Sequence, residues 1–487
     1  MYDVAIIGAG ICGCALLYEL SRYKNSVILL EKENDVSMGT TKANSAIVHA
    51  GYDPVPGTLM ARANVAGNEL VRELCKKLDV PYKQTGSLVL ALQPENMATL
   101  NELYERGIKN GVPGLRLLTA DETLRMEPNL APDILGALFA PSAGIVSPWE
   151  LTLALAETAV RNGAEVALNS PVTAIEQNND CFAVTAGGRK ITARYVVNAA
   201  GVYADRIAGL VGDTSFQVTP AKGEYLLLDK NQGTLVSHII FQCPSRIGKG
   251  VLISPTVHGN LIVGPNAVDS ERGDLSTTAD GLEFVRKTAV KSVPSVNFRD
   301  CIRTFAGLRA NTEASDFIVS ESPACRGFFH MAGIKSPGLT AAPALARELV
   351  SLLHRAGLGQ KEKPDAVDTR TVMRFREMTA RERSEAVREN PLFGKIVCRC
   401  ETVTEAEVIE TLHSPIPPVS VDGVKRRCGC GMGRCQGGFC GPRVQELIAR
   451  ESGRPIAEIP LDREGMWILS DQTKQTGTIQ PFPEQEA

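Results

Sequence analysis

Residues 2–31 read YDVAIIGAGICGCALLYELSRYKNSVILLE, and the order of residue types in this stretch decides the fold of the first part of the chain. Val4–Ile7 is a short apolar run. Gly8-Ala-Gly10-Ile-Cys-Gly13 follows, then the helix-like CALLYELSRY, then a second apolar run at Ser26–Leu30 that ends in Glu31. Strand, glycine turn, helix, strand and acid in that order make a βαβ dinucleotide site. Each residue type has a physical task. Gly8 makes the tight turn and Gly10 lets the backbone approach a pyrophosphate. Gly13 lets the helix pack on the sheet, while the helix N-terminus favours negative charge. Glu31 is positioned to accept hydrogen bonds from ribose hydroxyls.

Working outward, 487 residues are too many for one ordinary core, so two or three domains are expected. A hydrophobic fraction of 44% with 22% charged residues is that of a globular chain, not a disordered one. A net charge of −3 gives no reason to expect nucleic-acid binding. No apolar run reaches the ~18 residues a membrane span requires. Asp3 stands where a signal peptide would carry basic residues, and the apolar stretch turns glycine-rich at once. Cytoplasmic residence is the expectation, with a peripheral contact to the inner membrane through a partner as its variant.

Further along, four separated motifs join the fingerprint: NAAGVYAD at 198–205, KGVLISPTVHGNLIVGP at 249–265, AGIKSPGLTAAPA at 332–344, and a probable hairpin beginning at Val172. On these motifs residues 1–355 resemble the FAD-dependent amine and hydroxyacid oxidoreductases, the superfamily of D-amino-acid oxidase, glycerol-3-phosphate oxidase and L-2-hydroxyglutarate dehydrogenase. The resemblance implies FAD as cofactor, held by Gly8, Gly10, Gly13, Glu31, Lys32, Thr40, Thr41 and Gly201. It implies that Val172 contacts the adenine side through its backbone. Gly338, Leu339 and Thr340 then lie at the pyrimidine edge of the isoalloxazine, where a helix N-terminus favours anionic reduced flavin.

The segment Met38-GTTKANSAIVHAGYD carries the candidate reaction centre. An imidazole has a pKa near working pH, so His49 can take a hydroxyl proton while hydride leaves the neighbouring carbon. Asn44, Ser45 and His49 resemble the corresponding stretch of the glycerol-3-phosphate oxidases and L-2-hydroxyglutarate dehydrogenases, in which the histidine is the base and a serine lies nearby. Arg309, in RTFAGLRANTEASD, resembles the family's substrate arginine, and a guanidinium binds carboxylate or phosphate through two parallel hydrogen bonds. Lys249 adds charge without directionality, and Ser336 offers a hydroxyl. Two cations with a serine fit a phosphate better than a lone carboxylate.

Of thirteen cysteines, six (Cys398, Cys400, Cys428, Cys430, Cys435 and Cys440) fall inside 43 residues. Others, such as Cys12 and Cys14, sit in apolar contexts that suit buried thiols. In a reducing cytosol such a cluster argues for metal rather than disulfides. The Cys-x-Cys of KIVCRC and the Cys-x4-Cys of GMGRCQGGFCGP turn back tightly enough to present sulfur to iron. Structural zinc is the competitor, although Cys-x-Cys is tight for it. The stretch resembles the bacterioferritin-associated-ferredoxin type of [2Fe–2S] domain, which implies Cys398, Cys400, Cys435 and Cys440 as ligands. Cys428 and Cys430 depart from that pattern, as spare thiols, alternative ligands or a redox pair.

The expected fold is therefore α/β. A Rossmann-like FAD domain is interleaved with a mixed, largely antiparallel substrate domain over 1–355, the latter at roughly 80–140 and 215–305. A linker and solvated helix occupy 356–394, a small α-rich [2Fe–2S] domain 395–455, and a tail 456–487, polar and Pro-containing from about Gln472. The expected function is an FAD-dependent dehydrogenase oxidising a small anionic secondary alcohol, by resemblance sn-glycerol 3-phosphate to dihydroxyacetone phosphate. Electrons would leave through the cluster to a second redox subunit, a flavoprotein or a quinone-linked protein. The alternatives are L-2-hydroxyglutarate or another 2-hydroxy acid, an amino acid or amine, and a non-catalytic electron-transfer subunit.

Overall fold

The computed structural model describes residues 1–178, 180–244 and 250–470, which divide into two compact units. Lys249 and the chain from Asp471 onward lie outside the described residues. The first unit is Met1–Met373 with the short segments Ser414–Ile416 and Gly433–Gln436; the second is Arg374–His413, Pro417–Met432 and the chain from Gly437.

In the first unit, Tyr2–Ile7 forms a central parallel strand between Val27–Leu30 on one side and Arg189–Asn198 on the other. Val4–Ile7 of this strand are buried on both faces, as a parallel strand requires. Side chains alternate across the sheet. Val4 and Ile6 enter one core with the Ile11–Ser21 helix, while Ala5 and Ile7 enter another with Phe182, Val184 and Phe328. That helix is buried nearly all round, because the helices Pro148–Arg161 and Gly338–Arg355 both pack against it. Val172–Asn178 and Cys181–Ala186 form the antiparallel hairpin expected from Val172.

A second sheet of nine strands stands beside the first. It is built from strands between Ser87 and Ala140 and between Val218 and Thr312, largely antiparallel, with Ile239–Gln242 and Ser87–Ala91 paired in parallel. Its two faces carry separate cores, so Ile240 packs with Leu88 and Leu90 whereas Phe241 packs with Val89 and Ala91. Beyond the long Gly338–Arg355 helix the chain stays against the first unit. Lys24 N–H donates to Lys361 O at 2.8 Å, and Arg370 pairs with the buried Glu157 at 3.1 Å.

The second unit has a core of its own, in which Val408, Val424, Leu447 and Ile448 surround Cys398, Cys430 and Cys440. Thr404 opens its Glu405–Leu412 helix through a capping box with Glu407, and the helices Val421–Cys428 and Gly441–Ser452 complete it. Among the described residues no helix is long and apolar enough to cross a membrane.

Candidate active site and candidate metal centre

The glycine turn shows why only glycine serves. A Cβ on Gly8, at φ +105°, would meet Ala199 O at 2.6 Å, and one on Gly13 would meet Gly8 O at 1.9 Å. Gly10 differs, because the nearest atom to its missing Cβ is Thr41 Oγ1 at 3.3 Å. Its open side leaves room for a ligand. Thr41 Oγ1 accepts from Ile11 N–H at 3.0 Å at the start of the helix. Glu31 ends the second strand and accepts from Ala9 N–H at 2.6 Å and Glu33 N–H at 3.0 Å. Burial pushes its carboxyl pKa up against those two hydrogen bonds, which pull the other way. Lys32 pairs with Glu33 at 2.9 Å and lies over the Tyr203 ring. Behind the turn Ser37 is fully buried; its N–H donates to Ala9 O, yet its hydroxyl has no hydrogen-bond partner among the described residues. An orphaned hydroxyl beside an open glycine fits a site built for a polar dinucleotide. Burial pushes the Cys12 thiol up to about 12 and raises Cys14 too, which disfavours their thiolates.

His49 follows the short Ile47–Val48 strand, and its backbone is held at three points. Its N–H donates to Thr340 Oγ1 at 2.9 Å, and its carbonyl accepts from Asn64 Nδ2 at 2.8 Å and Asn68 Nδ2 at 3.1 Å. Asn64 and Asn68 lie one turn apart on the Leu59–Lys77 helix, which is how both reach one carbonyl. Thr340 is the third residue of the Gly338–Arg355 helix, so the His49 loop and the first turn of that helix are locked together. The imidazole stacks on Phe241 with centroids 5.9 Å apart, and its Nε2 lies 3.3 Å from Ser336 Oγ. A small cleft opens beside it, between Pro337 and the Tyr52–Pro54 stretch.

The strand carrying Arg309 is laid against the loop that leads to His49. Gly307 lets it approach, since a Cβ there would sit 1.9 Å from Ala43 O, and Thr40 Oγ1 donates to Leu308 O at 2.6 Å. Arg309 Nη2 donates to Asn266 O at 3.3 Å. Its guanidinium occupies the space above Gly223, where a Cβ would stand 2.7 Å from Nη2. Asn44 organises the loop, its Oδ1 accepting from Ala46 N–H at 2.8 Å, and Ser45 Oγ is 3.5 Å from Tyr225 OH. The structure thus brings His49, Ser336 and Thr340 together. It sets Arg309 and Ser45 on adjoining elements. Gly201, at φ +57°, begins a short 3₁₀ turn after the Arg189–Asn198 strand. Sequence reasoning missed Asn64, Asn68, Phe241, Tyr225 and Gly223; only the Asn64/Asn68 spacing on one helix face carried a local signal.

In the second unit the thiols of Cys398, Cys430 and Cys440 lie within 4.8 Å of one another, and all three residues are buried. Cys398 ends the Ile396–Cys398 strand, Cys430 follows a left-handed Gly429 at the end of the Val421–Cys428 helix, and Cys440 caps the Gly441–Ser452 helix. Hydrogen bonds from the Cys430 and then the Cys440 thiol hold the Cys398 pKa far below the ordinary thiol range. Of the sequence-derived set, Cys398 and Cys440 belong to this trio. Cys400 is exposed, and Cys435 is half-buried on Gly433–Gln436, a segment grouped with the first unit. None of the thirteen cysteines, all of them described, is in a disulfide. An all-sulfur, buried donor set suits a soft metal or an iron–sulfur cluster.

Comparison with known proteins agrees with both halves. Residues 3–352 match the family described as FAD dependent oxidoreductase, and residues 396–450 match the BFD-like [2Fe-2S] binding domain. A glycerol 3-phosphate dehydrogenase of Caloramator mitchellensis is 48% identical over 476 residues, covering 97% of this chain and 99% of that one. A glycerol 3-phosphate oxidase of Mycoplasma genitalium is 36% identical over 363 residues, 72% of this chain and 94% of that one. Among solved structures, dithionite-reduced L-alpha-glycerophosphate oxidase from Mycoplasma pneumoniae with FAD bound superposes with a TM-score of 0.73 at 33% identity, covering 76% of this chain and 99% of that one.

Proposed function

The chain belongs to the FAD dependent oxidoreductase family and carries a BFD-like [2Fe-2S] binding domain, and from that premise we propose that it is a dehydrogenase converting sn-glycerol 3-phosphate to dihydroxyacetone phosphate. The observation that carries the reading is the 48% identity to a glycerol 3-phosphate dehydrogenase, which runs through both halves and not the flavin half alone. A direct oxidase would have no use for a cluster; a dehydrogenase does. When bound, FAD accepts the two electrons of the alcohol and the cluster supplies one-electron transfer onward.

The chain's own residues do the rest. Gly8, Gly10 and Gly13 with the N-terminus of the Ile11–Ser21 helix would hold the pyrophosphate, with Glu31 and Lys32 toward the ribose and Thr40, Thr41 and Gly201 toward the phosphates. Val172 would meet the adenine side, and Gly338, Leu339 and Thr340 would offer a helix start to the ring. His49 takes the hydroxyl proton of the substrate at Nε2, beside the Ser336 hydroxyl. Phe241 covers one face of the imidazole and Thr340, Asn64 and Asn68 fix its backbone, so the base is presented in one orientation. Arg309 clamps the acidic group, with Ser45 as a further polar contact. Electrons leave to a second redox protein.

An anaerobic panel read by flavin absorbance near 450 nm tests the assignment. Glycerol 3-phosphate is expected to bleach the flavin. Bleaching by a 2-hydroxy acid or an amino acid in its place moves the substrate, and no bleaching by any of them overturns the assignment and strengthens the electron-carrier alternative. A second expectation follows from the space above Gly223. Gly223→Ala places a Cβ 2.7 Å from Arg309 Nη2 and 2.8 Å from Pro265 Cβ, pushes on the guanidinium, and raises KM for the anionic substrate by up to about tenfold, the scale of one weakened charge-assisted hydrogen bond. Flavin reduction at saturating substrate stays near the parent rate. An unchanged KM in Gly223→Ala and in Arg309→Ala alike removes Arg309 from substrate binding.

A further inference from the structure

Six cysteines crowd the second half of the chain, and the [2Fe–2S] reading accounts for four. Cys428 and Cys430 are two residues apart, yet their surroundings separate them. The Cys428 thiol donates to Val424 O at 3.4 Å, back along its own helix. It behaves as a half-buried helical thiol. Cys430 is turned away from that helix by Gly429, whose φ of +77° reverses the chain direction. Its sulfur thereby meets those of Cys398 and Cys440 within 4.8 Å, and the three residues are only 1%, 2% and 2% exposed.

Resting on the [2Fe–2S] reading, we propose that Cys430 is a cluster ligand in this chain, its thiolate joining those of Cys398 and Cys440, with the fourth position left to Cys400 or Cys435. Three sulfurs arriving from a strand end, a left-handed turn and a helix N-terminus make a preformed corner for one side of the cluster. Three buried thiols gathered this closely can each give up a proton to bind one metal centre. Cys430 is thus a fifth candidate sulfur for four positions, so one of the exposed or half-buried pair is left over.

The test uses the full-length protein, prepared anaerobically, as parent, Cys430→Ser and Cys428→Ser. Iron and acid-labile sulfide per chain, visible circular dichroism, and the electron paramagnetic resonance of the dithionite-reduced form are read for each. Flavin content and its bleaching by glycerol 3-phosphate check that the first unit is intact. Loss of iron, or a cluster whose resonance and absorption are shifted by an oxygen ligand, in Cys430→Ser but not in Cys428→Ser supports the assignment. Parent-like iron and spectra in Cys430→Ser overturn it, and equal damage in both variants overturns it too, as a packing effect. Parent protein that holds zinc or no metal defeats the [2Fe–2S] reading itself, a result distinct from either. Cys400→Ser and Cys435→Ser, made alongside, identify the fourth ligand; if both lose the cluster while Cys430→Ser keeps it, the sequence-derived set stands alone.

Discussion

His49→Ala is expected to keep its FAD and to lose roughly 10²–10⁴ in the rate of anaerobic flavin reduction by glycerol 3-phosphate, the range for removing a positioned base. FAD retention follows from where His49 is anchored. The bonds to Thr340, Asn64 and Asn68 all use its backbone N–H and carbonyl, so truncating the side chain leaves the loop and the start of the Gly338–Arg355 helix tied. What disappears is the imidazole that faces Ser336 and stacks on Phe241. Two accounts of the loss are separable. If the ring acts by accepting a proton, His49→Gln, which fills much of the space and still hydrogen-bonds, falls as far as His49→Ala. If it acts by shape, the glutamine restores most of the rate. Reduction within a few-fold of the parent in the alanine variant would take His49 out of the mechanism.

The parts of this molecule that were legible in its sequence are those in which local backbone geometry leaves one residue type no substitute. The Gly8–Gly13 turn, the flanking strands, the Val172 hairpin and the helix starting at Gly338 all announce themselves through short-range patterns. The parts that stayed hidden depend on register between distant elements. Gly223 makes room for Arg309 because the two strands pair antiparallel with Gly223 opposite Gly307 and Ala221 opposite Arg309, a relation no spacing encodes. Phe241 reaches His49 because its strand alternates between two cores, and either phase reads alike in sequence. Asn64 and Asn68 show as a polar pair on a helix, but not that their target is a backbone carbonyl. The cysteines make the same point. Cys-x-Cys and Cys-x4-Cys show that sulfurs can reach a cluster, while the left-handed turn at Gly429 decides that Cys430 converges and Cys428 does not.

Gly13→Ala is expected to yield a first unit that is destabilised and largely free of flavin, and comparison with Gly10→Ala shows why two glycines of one turn fail differently. At Gly13 the new Cβ would lie 1.9 Å from the Gly8 carbonyl oxygen and 3.4 Å from Ile6 Cγ2. The first of these is backbone, which cannot swing aside. The Ile11–Ser21 helix must therefore retreat from the sheet, at the ~1–3 kcal/mol or more that overpacking costs. That helix is also wedged between two others, so the displacement spreads into the main core. At Gly10 the nearest atom is a threonine oxygen at 3.3 Å, and the methyl would point into the space left open for the pyrophosphate. Gly10→Ala should then lose FAD affinity while the apoprotein unfolds at the parent temperature, whereas Gly13→Ala loses both. Flavin retained per chain and thermal unfolding of the apoproteins distinguish them. A Gly13→Ala protein that purifies fully yellow and melts with the parent would mean that the helix does not rest on the Gly8 carbonyl, and the close helix–strand packing on which the dinucleotide site depends would have to be abandoned.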